Sequence, residues 1–285
     1  MKITSHISEL REIIALEKER GRVIALVPTM GYLHRGHLEM VEQAKQTGAF
    51  IVLSIFVNPL QFGPNEDYLR YPRDLARDTH LVEAAGVDVL FHPTSEEMYP
   101  RPMVTYVEVG QLDTVLCGAK RPGHFRGVAT VVSKLFHIVQ PDLAFFGRKD
   151  YQQYLVIQRM VSDLNLPIEV CPVSIVREDD GLALSSRNVF LTTEQRQEAR
   201  VLSQSLNEAE TSLRAGERSA RAIEKQVRDR ISRQSHGVID YVEVRYADDL
   251  SEVTIIERPV LIALAVKFGS TRLIDNKVVE VDLHV

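Results

Sequence analysis

Cysteine is scarce in this 285-residue chain: Cys117 and Cys171 stand 54 positions apart, with no CxxC pair and no His/Cys cluster. That scarcity argues against a disulfide framework and a structural zinc site, and it makes a reducing cytoplasm the expected setting. Long apolar runs are missing as well. The longest, Val260 to Val266, spans seven residues, against the roughly 20 that a membrane helix needs. The N-terminal stretch is charged and amphipathic, unlike a signal peptide. Positive charge is not in excess either, since 34 lysines and arginines face 39 acids for a net −5. A dedicated nucleic-acid binder is therefore disfavoured, although a local basic pocket for a small anion is not. Neither a P-loop pattern nor GxGxxG occurs, so any phosphate site here is of another kind.

What is present is ordinary globular material. At 45% hydrophobic and 26% charged residues the chain can bury a core without staples, and its length predicts two domains at about 150 residues each. Nearly continuous apolar runs at Val23–Val27, Phe50–Val57, Val87–Phe91, Leu143–Phe146 and Ile168–Val173 alternate with helical patterns at Leu38–Thr47, Pro72–Ala85, Val128–Val139 and Tyr151–Leu164. Runs of that length suit strands buried on both faces. The fold class predicted is α/β, a Rossmann-like open parallel sheet over residues 1–176. Within it, residues 92–127 read as an irregular excursion with one strand near Val104–Val109.

After about residue 176 the pattern changes. Thr192 and Gln195 make a capping box, and Ala199, Leu202, Leu206, Ala209 and Leu213 follow at helical spacing until Gly216. Ile223, Val227 and Ile231 mark a second helix, and strands are expected at Tyr241–Tyr246, Val260–Phe268 and Val278–Leu283. Hairpin-length connections make the first and last of these compatible with antiparallel pairing. Together these elements predict a smaller α+β domain over residues 177–285.

Polar clusters follow four of the parallel strands, at residues 28–37, 58–62, 147–153 and 176–188. In open α/β sheets the ligand crevice lies at that edge, so the four loops are expected to converge. His34 and His37, three apart at a helix start, share a face beside unpaired N–H groups and the positive end of the dipole. Two such histidines either cap the helix or hold an anion; their place after the first apolar strand favours the anion, with Gly36 leaving room for a phosphate. Lys149 with Ser185, Ser186 and Arg187 would supply a second clamp on a triphosphate. Gln61 and Gln153 suit a substrate carrying hydroxyls and a carboxylate. The basic stretch Lys120–Arg126 is either a phosphate contact or a solvated loop, and the Asp179-Asp180 pair is more often structural than a metal ligand. Tyr68 and Tyr71 belong either to a mobile cover or to packed aromatics.

The segments PTMGYLHRGH (28–37), FVNPLQFGPNEDY (56–68), RPGHFRGVATVV (121–132), FFGRKDYQQ (145–153) and VREDDGLALSSRN (176–188) resemble, in order and along the whole chain, the pantoate–β-alanine ligases, or pantothenate synthetases. That family is one of the HxGH nucleotidyltransferases. The resemblance implies an enzyme joining pantoate to β-alanine at the expense of ATP, through a pantoyl-adenylate, with release of AMP and pyrophosphate. It also implies Mg²⁺, a homodimer, and a cover formed by the 59–72 segment and the C-terminal domain. By position, its nucleotide contacts fall on Met30, Gly31, Tyr32, Leu33, His34, Arg35, Gly36, His37, Gly147, Arg148, Lys149, Asp150, Val176, Leu184, Ser185, Ser186 and Arg187. Its pantoate-binding glutamines fall on Gln61 and Gln153. His37, His34, Lys149 and Arg187 are the expected catalytic groups; the metal's protein ligands are left unassigned. Three positions depart from the family's form: Cys117 replaces a common acid, Arg148 a Glu or Gln, and Leu184 a Met. On the residues alone, nucleotidyl transfer to a phosphate and a non-catalytic nucleotide-binding regulator remain open.

Overall fold

In the computed structural model, which describes residues 1–64 and 66–281, the chain runs β1 (Lys2–Thr4), α1 (Ile7–Glu19), β2 (Ile24–Thr29), α2 (Arg35–Gln46), β3 (Phe50–Ile55), α3 (Leu75–Ala85) and β4 (Val89–Phe91). It continues through α4 (Ser95–Met98), α5 (Leu116–Lys120), α6 (His124–Val139), β5 (Leu143–Gly147), α7 (Tyr151–Asp163) and β6 (Glu169–Val173). The C-terminal part holds α8 (Thr193–Ala199), α9 (Val201–Arg214), α10 (Ala220–Gln234), β7 (Val238–Tyr246), β8 (Val260–Phe268) and β9 (Thr271–Val279).

The first six strands form one parallel sheet in the order β1-β4-β3-β2-β5-β6. From β2 the chain builds outward through β3 and β4, then crosses back to lay β5 on the other side of β2. That reversal opens a crevice between the carboxyl ends of β2 and β5, where neighbouring connections leave on opposite faces. The sheet is buried on both sides. Ile24 and Leu26 of β2 point into one apolar cluster with α1, α6 and α7, while Ala25 and Val27 point into another with α2.

The last three strands form an antiparallel sheet in the order β7-β8-β9. Its central strand explains the longest apolar run in the sequence. Val260, Ile262, Leu264 and Val266 face α9 and α10, whereas Leu261, Ala263 and Ala265 belong to the same apolar cluster as α6 and α7. Alternate residues of β8 thus enter two cores, and neither face meets water.

Several expectations need correction. β1 is a strand beyond those expected: three residues carry too little periodicity, and its partner β4 lies far along the chain. Val104–Val109 has a strand-like pattern but among the described residues pairs with no strand, and Val104 is 90% exposed. The third C-terminal strand is Thr271–Val279, not Val278–Leu283, because β8 turns straight into β9 at Gly269-Ser270; Asp282 and Leu283 lie outside the described residues. β7 and β9 flank β8 and do not pair with each other. The helical stretch after the Thr192–Gln195 capping box divides at Arg200 into α8 and α9.

Because Ile262 is fully buried in the centre of β8, we expect Ile262→Ala to cost about 2–5 kcal/mol of stability. Urea denaturation measures it, and a loss below about 1 kcal/mol would contradict the packing described.

Candidate active site

The loop after β2 is held in a shape that only part of its sequence could adopt freely. Gly31 has φ +82°, and a Cβ there would lie 2.9 Å from Ile55. Tyr32 follows with φ +48°, a left-handed conformation that costs a tyrosine energy unless its surroundings impose it. They do so through the fully buried Asp78 of α3. Its carboxylate accepts the backbone N–H groups of Tyr32 (2.6 Å) and Leu33 (2.8 Å), while Arg77 donates to the Leu33 carbonyl (2.9 Å).

That loop delivers His34 to the N-cap of α2. His34 Nδ1 accepts the N–H of Gly36 (3.1 Å), His37 Nδ1 accepts the N–H of His34 (3.2 Å), and the two rings stack with centroids 4.0 Å apart. The capping and ligand-holding alternatives are therefore compatible. With Nδ1 of each ring accepting from the helix, the neutral tautomer carries its proton on Nε2, which is left as a donor. Burial, reinforced by Lys149, lowers the pKa of His34 to about 4; burial, then His34 and Lys149, depress His37 well below its ordinary value. Both rings are neutral N–H donors at pH 7 rather than cations. Gly36 serves them directly, since a Cβ there would lie 3.0 Å from the His34 ring.

A cavity of about 200 Å3 at the switch point is lined by Met30, His34, Gly36, His37, Gln61, Gly147, Lys149, Asp150, Gln153, Val176, Leu184, Ser185, Ser186 and Arg187. Four loops from distant parts of the chain do converge. A wider crevice of about 700 Å3 shares Lys149, Asp150, Gln153, Ser185 and Arg187 and extends toward the antiparallel sheet. Five residues expected at the site do not line this cavity. Gly31 and Tyr32 face a neighbouring hollow, Leu33 is buried, Arg35 is exposed and reaches the Arg177 carbonyl (3.3 Å), and Arg148 is exposed.

Gln61 is positioned by a buried relay. Tyr99 donates to Asn58 Oδ1 (2.7 Å), and the Asn58 amide donates to Gln61 Oε1 (3.0 Å) and to the Gly127 carbonyl (3.1 Å). Gln153 faces the cavity, whereas Gln152 turns away and is used up by Cys117 N–H and the Leu112 and Val115 carbonyls. Ser186 ties the last loop to the first by donating to the Tyr32 carbonyl (3.2 Å), and Leu184 N–H bonds the Val176 carbonyl (3.0 Å).

Arg187 is engaged. Its guanidinium forms a two-pronged pair with Asp67 (2.8 and 3.0 Å) and lies over the buried Tyr71. Burial opposes ionisation of Asp67, but Arg187 prevails and holds that carboxyl below its ordinary range. The basic stretch lines the wider crevice through Lys120, Arg121 and His124. Arg121 pairs with Glu66, and His124 Nδ1 meets the Gln61 carbonyl at 2.8 Å. Asp180 takes the Leu182 N–H and pairs with Arg196. Cys117 and Cys171 are free thiols, and Cys117 Sγ lies 3.3 Å from Tyr241 OH and 3.6 Å from two Arg272 nitrogens. Asn58, Asp67 and Asp78 are site-builders that the sequence reading does not single out. The Pro- and Asp-rich 58–78 stretch marks them only as loop and helix-cap residues.

Fold and site together define an α/β protein of the HxGH type, with its crevice at the switch point of a parallel sheet. The model of the pantoate–β-alanine ligase family matches residues 2–278, and the chain belongs to that family. It is 64% identical over 280 residues to the pantothenate synthetase of Desulfitobacterium hafniense, covering 98% of this chain and 99% of that one. The crystal structure of pantothenate synthetase from Thermus thermophilus matches with TM-score 0.92 and 47% identity over 97% of this chain and 99% of that one. A pantoate–β-alanine ligase from Francisella tularensis, complexed with β-γ ATP and β-alanine, matches with TM-score 0.81 and 31% identity, covering 97% of each chain.

The depressed imidazoles have a consequence for stability. An unfolded His34 takes up its proton near the ordinary 6.5, while the folded one resists until about 4. Stability is then fully present above that window and falls as pH drops through it. We expect urea midpoints to fall between about pH 7 and pH 5, and His34→Asn to fall less steeply. An equally steep fall in His34→Asn would rule out that histidine as a source.

Proposed function

We propose that this chain condenses pantoate with β-alanine at the expense of ATP. The pantoate carboxylate attacks the α-phosphorus and expels pyrophosphate; the β-alanine amine then attacks the acyl carbon and expels AMP. The observation that carries this reading is the convergence of His34, His37, Lys149 and Arg187 with Gln61 and Gln153 on one cavity. The whole-length likeness to ligases of this name supports it.

Attack at phosphorus builds negative charge, and the two Nε2–H groups, the Lys149 ammonium and Arg187 offer fixed donors where bulk water is scarce. Gln61 and Gln153 hold the pantoate hydroxyls and carboxylate. Met30, Gly36, Gly147, Asp150, Val176, Leu184, Ser185 and Ser186 form the nucleotide's wall; Gly31, Tyr32, Leu33, Arg35 and Arg148 frame that wall. No protein nucleophile is required, because the substrate supplies one.

Among the described residues, no group of three His, Cys, Asp or Glu side chains is arranged to hold a metal, and Asp150 is the carboxylate on the cavity wall. That donor set fits Mg²⁺ brought in on the nucleotide's phosphates and touched by Asp150. When bound, the ion would offset triphosphate charge.

A reactive adenylate needs shielding from water. We assign that to residues 59–72, tethered through Asp67–Arg187 and Glu66–Arg121, and to a C-terminal domain over residues 177–285 packed on a nucleotide- and pantoate-binding domain of residues 1–176. A nucleotide phosphate reaching Arg187 exchanges with Asp67 and loosens one tether. The working assembly is a cytoplasmic homodimer, with the exposed Val104–Tyr106 stretch, which among the described residues joins no strand, offering a backbone edge to a second copy. Among the described residues no helix is long and apolar enough to cross a membrane.

AMP should form only when pantoate, β-alanine and ATP are all present, and hydroxylamine should trap an acyl-adenylate when β-alanine is withheld. AMP formation without pantoate would overturn the reading. His37→Ala is expected to lower kcat by roughly 10² or more in a folded protein, the scale for one oriented donor. Gln153→Ala should chiefly raise KM for pantoate; an effect on KM for ATP alone would misplace the acid pocket.

A further inference from the structure

The edge strand of the antiparallel sheet carries two polar residues that a strand interior would ordinarily exclude. Asp275 and Asn276 of β9 are 3% and 5% exposed, and each reaches a different wall of the crevice. The Asn276 side-chain amide donates to the carbonyl oxygens of Arg148 (3.0 Å) and Lys149 (2.8 Å). Those two carbonyls lie on the tight turn between β5 and α7 that carries the Lys149 ammonium. Asp275 accepts both Arg177 prongs (2.7 and 2.9 Å), and Arg177 in turn donates to the Gly181 carbonyl (3.1 Å), bracing the loop that ends at Ser185–Arg187. The two are themselves linked, for the Asn276 N–H donates to Asp275 Oδ1 (2.8 Å).

We infer that Asn276 is a positioning residue for the reaction: its amide fixes the turn from which Lys149 is aimed, while Asp275 fixes the facing loop through Arg177. The inference rests on the ligase reading above. An amide that only joined two sheets would have no reason to spend both its hydrogens on consecutive carbonyls of the turn that presents the cavity's lysine. A carboxamide is also the side chain of that size with two N–H donors for two adjacent acceptors and no charge to perturb the ammonium beside it. Small displacements of a charged group matter in such a site, where a misplacement of about 1 Å costs up to roughly a hundredfold in rate.

Steady-state pyrophosphate release by the full chain tests this with Asn276→Ala, Lys149→Ala and the double variant. Asn276→Ala should lower kcat about tenfold or more while KM for pantoate stays within about threefold. The double variant should be no slower than Lys149→Ala alone, because a residue acting through Lys149 has nothing left to position. A folded Asn276→Ala with wild-type kcat, or losses that multiply in the double variant, would overturn the inference. Should Asn276→Ala fail to fold, Asn276→Ser, which keeps a single donor, enters the same comparison. The wild-type rate tests the ligase reading, and the ratio of variant to wild type tests this one.

Discussion

The hydrogen bonds that engage Nδ1 of His34 and of His37 with the first turn of α2 govern the chemistry available at the crevice. They cap a helix end that would otherwise leave backbone N–H groups unpaired, and they determine which ring nitrogen remains for a ligand. Burial then removes the charge, so the helix tip offers two oriented neutral donors added to a positive dipole end. The arrangement stands only because the preceding turn is pinned by Asp78 and because Gly31 and Gly36 keep side chains out of spaces already filled by Ile55 and His34.

The same logic of buried partners runs through the other half of the molecule. β8 is apolar on both faces and so places β9 firmly against the β5–α7 turn. A shared apolar cluster joins the two sheets at that seam, whereas Glu66 and Asp67 are tied to the crevice through Arg121 and Arg187. Those tethers are ion pairs, partly open to solvent, and individually weak beside the apolar seam.

Much of this was legible in the sequence because it is local. Strand runs buried on both faces, the HxGH tip and the Thr192–Gln195 capping box each declare themselves within a few residues, and the four loops at one sheet edge follow from topology. What was hidden depends on partners far away. β1 exists because β4 is beside it. The pattern at Val104–Val109 reads as a strand although among the described residues no strand pairs with it. The last strand starts earlier than the apolar Val278–Leu283 pattern suggests, because the polar Asp275-Asn276 inside it find their partners in Arg177 and in the Arg148 and Lys149 carbonyls. Arg187 reads in the sequence as part of a triphosphate clamp, and nothing local tells of its partner Asp67, 120 positions away.

Arg121, Arg177, Arg187 and Arg272 each already face a carboxylate: Glu66, Asp275, Asp67 and Asp240. A half-buried guanidinium without such a partner would carry an uncompensated desolvation cost, so the fold supplies one for each. Lys149 is different. Its ammonium is mostly shielded, yet its acidic neighbour Asp150 is half-exposed and stands 3.8 Å away, beyond direct hydrogen-bonding reach. Of Lys149 and Arg187, the two cations on the wall of the smaller cavity, Lys149 is therefore the less engaged by protein groups, and it helps to depress the pKa values of the paired imidazoles. An anion at Lys149 displaces no direct hydrogen bond from a carboxylate, whereas one at Arg187 competes with Asp67. Within the smaller cavity, the positive charge left unpaired thus lies beside the helix tip.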